Sequence, residues 1–285
     1  MAELIDSIAV MARVSEQLRG NGRRISLVPT MGALHEGHRA LIARAREHSD
    51  AVVTSVFVNP TQFGKGEDFE RYPRNLAGDI QKAGDAGSDY VFAPSSAALY
   101  PQQYRTYVEV EHLTGLLEGN IRPGHFRGVT TIVTKLFHIV MPHVAVFGQK
   151  DAQQVVVIRR MTQDLDFAVE LVVIPTVREA DGLARSSRNV YLTAGQRAEA
   201  PVLYRALRRA EQRIREGSTD AGAVREEMRV MIGQSSTAVV EYLSAAHGET
   251  LEELSALVTG TPVLLSLAVR FGSTRLIDNI PVVIP

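Results

Sequence analysis

Ile25-Ser26-Leu27-Val28-Pro29-Thr30-Met31-Gly32-Ala33-Leu34-His35-Glu36-Gly37-His38 decides the reading of this chain. The short run 25–28 has the pattern of a strand buried on both faces. Pro29-Thr30-Met31-Gly32 breaks it. From His38 the residues HRALIARAREH carry helical periodicity. His35 and His38 therefore stand at a strand-to-helix turn, in or just before the helix's first turn. That end of a helix offers unpaired N–H groups and the positive end of the dipole, which suit a phosphate. Gly37 has no side chain to keep a phosphate off the backbone. Two imidazoles at such a turn suggest chemistry on the phosphates of ATP.

Other readings of the pair are open. Residues three apart share a helix face and could be metal ligands. Zinc normally takes a third Cys, His or carboxylate, and the zinc-protease pattern spaces its histidines by four. Ordinary surface or core histidines are the remaining alternative.

The composition narrows the class. At 285 residues the chain has room for two domains or one large α/β domain. A hydrophobic fraction of 45% can fill a sizeable core. A net charge of −1 argues against a broad nucleic-acid surface. With no Cys, disulfides and thiolate metal sites are excluded, which fits a reducing cytoplasm. Residues 1–20 carry acids and lack a long apolar core, so no signal peptide is expected there. No stretch of about 20 apolar residues predicts a membrane span.

Working outward, strands are predicted at 25–29, 51–58, 90–93, 143–147 and 170–174. Helices are predicted at 7–20, 38–48, 75–87, 130–141 and 152–165. Residues 107–110 read as a further short strand. This alternation implies an α/β domain, a Rossmann-like parallel sheet with helices on both faces. The character changes near Pro175. Thr193 reads as the N-cap of a long Arg-rich helix to about Gly217, kinked or divided at Pro201. A helix at 220–232, strands at 239–243 and 263–271, and a short helical piece at 250–257 complete a smaller α+β domain. The expected division is 1–176 and 177–285, the second part acting as a lid.

Four more polar patches adjoin predicted element ends, where open α/β sheets bind ligands. Asn59-Pro60-Thr61-Gln62-Phe63 could hold a small hydroxy acid through its amides, or be turn chemistry alone. Arg122-Pro123-Gly124-His125-Phe126-Arg127-Gly128 could take a carboxylate or phosphate bidentately, or be a solvated basic loop. Gly148-Gln149-Lys150-Asp151 puts an ammonium between strand and helix, within reach of a phosphate; most loop lysines are simply exposed. Arg178 to Asn189 clusters hydroxyls and guanidinium groups at the predicted domain boundary, as a phosphate-binding hinge or as a plain surface loop.

The order of the motifs says more than any one of them. PTMGALHEGH, SVFVNPTQF, EDFERYPR, RPGHFRGVTTIVTKLF, FGQKDAQQ and READGLARSSRN run from about Ile25 to Asn189, and RFGSTRLIDNI follows near the end. In this the chain closely resembles the pantoate–β-alanine ligase family, within the nucleotidyltransferase superfamily that carries a His-x-Gly-His element. The resemblance implies a Rossmann-like fold and ATP-dependent condensation of pantoate with β-alanine. A pantoyl adenylate would form first, and pyrophosphate and AMP would be released.

It also implies roles. His38, His35, Lys150, Ser186, Ser187 and Arg188 would face the phosphates as the catalytic group. Met31, Gly148, Asp151, Val177 and Arg185 would complete the ATP site. Gln62 and Gln154 would hold pantoate, with Met31 and Phe63 as its apolar wall. Asn59, Tyr72 and Arg122 belong to the same site region. Mg²⁺ would enter with ATP, with no dedicated metal site beyond a water-mediated contact to Asp79. A homodimer is expected. Arg185 stands where the family usually has Met or another apolar residue; its stem can still pack against the base. Gln149 replaces a frequent Glu, and residues 242–251 depart from the usual acidic, Val-rich strand. Two alternatives are weighed against the ligase: an adenylyltransferase that keeps the nucleotide in its product, and a nucleotide-binding module without activity. The pantoate-type motifs argue against the first, and the retained histidines, Lys150 and Ser-Ser-Arg loop against the second.

Overall fold

A computed structural model describes residues 1–285. The chain forms two compact units, Met1–Gly148 with Val157–Pro175, and Gln149–Val156 with Thr176–Pro285. A single boundary at residue 176 therefore does not describe residues 149–156, which pack with the later part of the chain.

The first unit holds six parallel strands: β1 (Glu3–Ile5), β2 (Ile25–Thr30), β3 (Ala51–Val56), β4 (Tyr90–Phe92), β5 (Val144–Gly148) and β6 (Glu170–Ile174). Their order is β1-β4-β3-β2-β5-β6. The helices are α1 (Ile8–Gly20), α2 (Glu36–His48), α3 (Leu76–Asp85), α4 (Ser96–Leu99), α5 (Glu118–Ile121), α6 (His125–Val140) and α7 (Ala152–Asp164), the last continuing from the second unit. Leu41, Ile42 and Ala45 of α2 share a buried cluster with Val28, Val52, Val91 and Val146 of the sheet. Full burial of one such aliphatic side chain is worth roughly 1.5–3 kcal/mol. The strand order reverses beside β2: successive strands step outward through β3 and β4, then resume on its other flank with β5 and β6. Ligands of open α/β sheets bind beyond the carboxyl ends of the strands at such a reversal. The 31–35 loop begins there, directly after Thr30.

Several expectations need correction. The helix after β2 starts at Glu36, with His35 as its N-cap. Helix α6 starts five residues earlier than read, since Gly128 does not break it. A Cβ on Gly128 would lie 2.4 Å from the Thr61 carbonyl oxygen, so glycine is there for close packing. Residues 107–110 are not a strand: Val108 donates to Thr131 Oγ1 (3.0 Å) and accepts from Thr130 Oγ1 (2.6 Å). Threonine hydroxyls take the place of a ladder partner.

The second unit contains α8 (Ala194–Glu199), α9 (Val202–Arg215) and α10 (Ala221–Ile232), then an antiparallel meander β7 (Ala238–His247), β8 (Pro262–Phe271) and β9 (Thr274–Val283). Pro201 separates α8 from α9, as its missing N–H requires. Leu203, Leu207, Ala210 and Ile214 form one stripe of α9 and share a cluster with Leu265, Leu267 and Val269 of β8. Residues 250–257 are not helical; Leu251 has φ +59°, and Ala246 bridges to Glu253. No helix is long and apolar enough to cross a membrane.

Candidate active site

In the first unit the site is built on the loop between β2 and α2. The His35 Nδ1 accepts from the Gly37 amide (3.1 Å), and His38 Nδ1 accepts from the His35 amide (3.3 Å). The two side chains form a reciprocal capping box with histidines in place of the usual hydroxyl and carboxyl. Both bonds use Nδ1 as acceptor, which puts the proton of each neutral ring on Nε2. The ring centroids are 4.1 Å apart. The pair is thus two Nε2–H donors set at a helix N-terminus. Gly37 acquires a second reason: a Cβ there would lie 2.8 Å from His35 Cε1.

Helix α3 clamps the loop leading into this turn. Asp79 is buried, and its carboxylate accepts from the Ala33 amide (2.9 Å) and the Leu34 amide (2.7 Å). Lys82, one turn on, donates from Nζ to the Leu34 carbonyl (2.9 Å). Gly32 has φ +87°, and a Cβ there would meet Asp79 Oδ2 at 2.9 Å. Asp79, the candidate for a water-mediated metal contact, has both oxygens engaged by backbone amides. No group of three or more His, Cys, Asp or Glu is placed to hold a metal ion.

The next wall comes from the turn Pro60–Gln62 after β3. Gln62 is buried; its Nε2 donates to Met31 Sδ (3.1 Å), and its Oε1 accepts from Asn59 Nδ2 (3.1 Å). Asn59 Nδ2 also donates to the Gly128 carbonyl (3.0 Å), which ties this turn to α6. Phe63 packs edge-on against Tyr72 and Phe69. Met31, Asn59, Gln62, Phe63 and Tyr72 are thus brought together.

Arg122, read from the sequence as a carboxylate or phosphate binder or as part of a solvated basic loop, grips Glu67 with its fork, with Nε to Oε1 at 2.8 Å and Nη2 to Oε2 at 2.7 Å. Burial raises the Glu67 carboxyl, but the Arg122 guanidinium outweighs it and holds the group below its usual range. His125 Nδ1 donates to the Gln62 carbonyl (2.8 Å) while Nε2 faces Arg122 Nη1 (3.2 Å). Burial, aided by the Arg122 charge, depresses His125 to about 4, so it stays neutral. Gln62 is therefore held by its side chain and its carbonyl alike.

In the second unit, Lys150 and Asp151 lie in the turn Gln149–Asp151, with Lys150 Nζ 3.3 Å from Asp151 Oδ1. Gln154 follows in α7, half-buried beside buried Gln153. The hairpin at 177–185 is closed by the Arg185 amide donating to the Val177 carbonyl (2.9 Å). Ser186 caps the turn Ser187–Tyr191, its Oγ accepting from the Arg188 amide (3.2 Å). Arg197 braces this segment through Glu179 (2.7 Å) and Asp181 (2.6 Å). Arg178 makes a bidentate pair with buried Asp278 (2.6 and 2.9 Å). Arg178, Asp278 and Asn279 were missed as supports. They lay inside quoted motifs, and nothing local marks them as partners about 100 residues apart.

A family model described as pantoate-beta-alanine ligase matches residues 3–281. A pantothenate synthetase of Acetivibrio thermocellus is 52% identical over 277 residues, 97% of this chain and 98% of its own length. One from Pelotomaculum thermopropionicum is 52% identical over 274 residues, 96% of each chain. The pantothenate synthetase structure from Thermus thermophilus matches at 45% identity and TM-score 0.91, over 98% of both chains. The Francisella tularensis ligase, solved with beta-gamma ATP and beta-alanine, matches at 32% identity and TM-score 0.80, over 98% and 97%. These matches cover the parallel α/β sheet and the meander after it, and the class they define is a ligase. The chain belongs to the pantoate-beta-alanine ligase family. It is an ATP-dependent ligase that joins pantoate to β-alanine.

Proposed function

We propose that the residues described above divide the reaction as follows. The pantoate carboxylate, ionised at neutral pH, attacks the α-phosphorus of ATP; the bond to the β-phosphate oxygen breaks and pyrophosphate leaves. The β-alanine ammonium gives up a proton to solvent, its amine attacks the activated carbonyl, and AMP leaves with a second amine proton going to solvent or the departing phosphate. Negative charge grows on the α-phosphate and pyrophosphate oxygens in the first step. Positioned donors stabilise it without covalent catalysis. His35 and His38 supply Nε2–H donors, Lys150 and Arg188 supply charge, and Ser186 and Ser187 supply hydroxyls. Gly148, Asp151, Val177 and Arg185 border the nucleoside. Gln62 and Gln154 orient pantoate against Met31 and Phe63, with Tyr72 behind. Asn59 and Arg122 act by holding Gln62, and Asp79 by holding the loop before His35.

A divalent cation accompanying ATP would supply positive charge to offset the triphosphate, and Lys150, Arg188, His35 and His38 would share that work from the protein side. The donor set fits that arrangement, since the Asp79 oxygens are committed to amides. We further expect a cytoplasmic homodimer, on the chain's resemblance to its family and its lack of Cys.

The observation that carries this reading is the capping box of His35 and His38, which turns two imidazoles into paired donors at a helix N-terminus. Pantoate-dependent isotope exchange between pyrophosphate and ATP, in the absence of β-alanine, tests it. Exchange is expected. Its absence under conditions where the full reaction runs would exclude a free-standing adenylation step.

A further inference from the structure

We infer that Asn279, on β9 far from the motif it serves, is a positioning residue for Lys150. Its side chain makes three hydrogen bonds, all to the turn that carries the lysine. Nδ2 donates to the Gln149 carbonyl and the Lys150 carbonyl, both at 2.9 Å. Oδ1 accepts from Gln149 Nε2 at 3.0 Å. Both amide hydrogens and the amide oxygen are used, and the residue is 4% exposed. Rotating the amide by half a turn would set its oxygen against two carbonyl oxygens, so the orientation is unambiguous.

The anchor behind Asn279 is stiff. It pairs with Ser266 within the β8–β9 ladder. Its amide donates to Asp278 Oδ1 (2.8 Å), and its carbonyl accepts from Arg178 Nη2 (3.4 Å). Arg178 grips Asp278 with both arms and lies 3.8 Å over the Tyr204 ring. A chain of partly buried contacts thus runs from Tyr204 through Arg178 to buried Asp278 and Asn279, and on to the backbone of Lys150. Fully satisfied networks of this kind hold one geometry, and cutting one member leaves its neighbours unpaired. Lys150 sits on a three-residue turn, and these hydrogen bonds fix the backbone from which its side chain extends. This explains why residues 149–156 pack with the second unit although they follow β5 in sequence.

The inference rests on the assignment of Lys150 to the reacting phosphates, and a double-mutant cycle separates the two. Pyrophosphate exchange is measured for Lys150→Ala, Asn279→Ala and the double variant, with melting temperatures alongside. Displacing a catalytic group by about 1 Å can cost on the order of 10²-fold. Asn279→Ala is expected to lower exchange kcat by about that factor, with KM for pantoate held within about twofold. In the Lys150→Ala background the same change should alter exchange by less than about twofold. Asn279→Ser, which keeps one donor, should recover part of the rate; it carries the same cycle should Asn279→Ala not fold. Equal losses in both backgrounds, or a loss in neither, would overturn the positioning role. Full exchange by Lys150→Ala would instead overturn the assignment of the lysine, and the inference with it.

Discussion

Leu34 is held by Asp79 through a 2.7 Å bond from its amide to Oδ1, one residue before the histidine that caps α2. The aim of His35 is therefore set from another helix. Asp79→Asn keeps the shape but offers one acceptor oxygen to two amides. The unpaired buried donor should cost about 1–3 kcal/mol of stability. Adenylation should fall by about 10²-fold, with the Mg²⁺ concentration for half-maximal rate unchanged. A raised Mg²⁺ requirement would show instead that Asp79 serves the metal.

Gly37→Ala separates helix stability from ring geometry. Alanine in place of glycine favours a helix by up to about 1 kcal/mol. The added Cβ would lie 2.8 Å from His35 Cε1, so the ring must turn away. The helix gain is offset by loss of the cap bond to His35 Nδ1, about 1 kcal/mol, so we expect a melting temperature close to that of the parent and pyrophosphate exchange at least tenfold slower, on the order of one misaimed donor. Normal exchange would mean that the His35 ring need not sit where it does.

His35→Asn tests the imidazole apart from the cap. Asparagine is among the best N-cap residues, so α2 should start as before. The Nε2–H donor is lost, and exchange should drop by about 10²–10³-fold, the usual loss for one transition-state donor. Urea titration and exchange kinetics on the same preparation check both halves. Parent-like kinetics would reduce His35 to a cap.

Acid should weaken the first unit through His125. The folded chain holds this imidazole near 4, against about 6.5 when unfolded. Between those values the unfolded chain binds a proton that the folded chain refuses, so stability falls as pH drops from 6.5 to 4. The loss reaches about 3 kcal/mol. Glu67, held below its usual value, adds stability above pH 4.5 that is lost at lower pH, in the same direction. His125→Gln keeps a donor for the Gln62 carbonyl but cannot titrate. Urea unfolding at pH 7, 5.5 and 4.5 should show a shallower acid slope for this variant. Coincident slopes would acquit His125.

The central strands were legible because they are buried on both faces, so 25–28 and 51–56 appear as largely apolar, β-branched runs broken only by small hydroxyl residues. Strand β9 was not: Arg275, Asp278, Asn279 and Pro281 interrupt it, and its polar residues are there for partners on distant segments. Strand β1 has three residues, too few to show a period. In the candidate site, His35, His38, Gln62 and Lys150 stand out by motif. The residues that hold their surroundings, Lys82, Glu67 and Asn279, do not, because a polar bond between residues 48 to 130 apart has no signature in either segment alone. The same gap hides the partner of Arg122, since Glu67 fills its fork from 55 residues away.

The path of the chain has a consequence for any attempt to recombine it. The backbone leaves the first unit after Gly148, re-enters at Val157 and leaves again after Pro175. No single cut in the gene separates the halves: a break at 176 strands residues 149–156 without the β9 side chain that holds them, and a break at 148 removes β6 from the sheet. Swapping the C-terminal part between homologues must therefore carry the short 149–156 segment along with it, as two exchanged pieces rather than one.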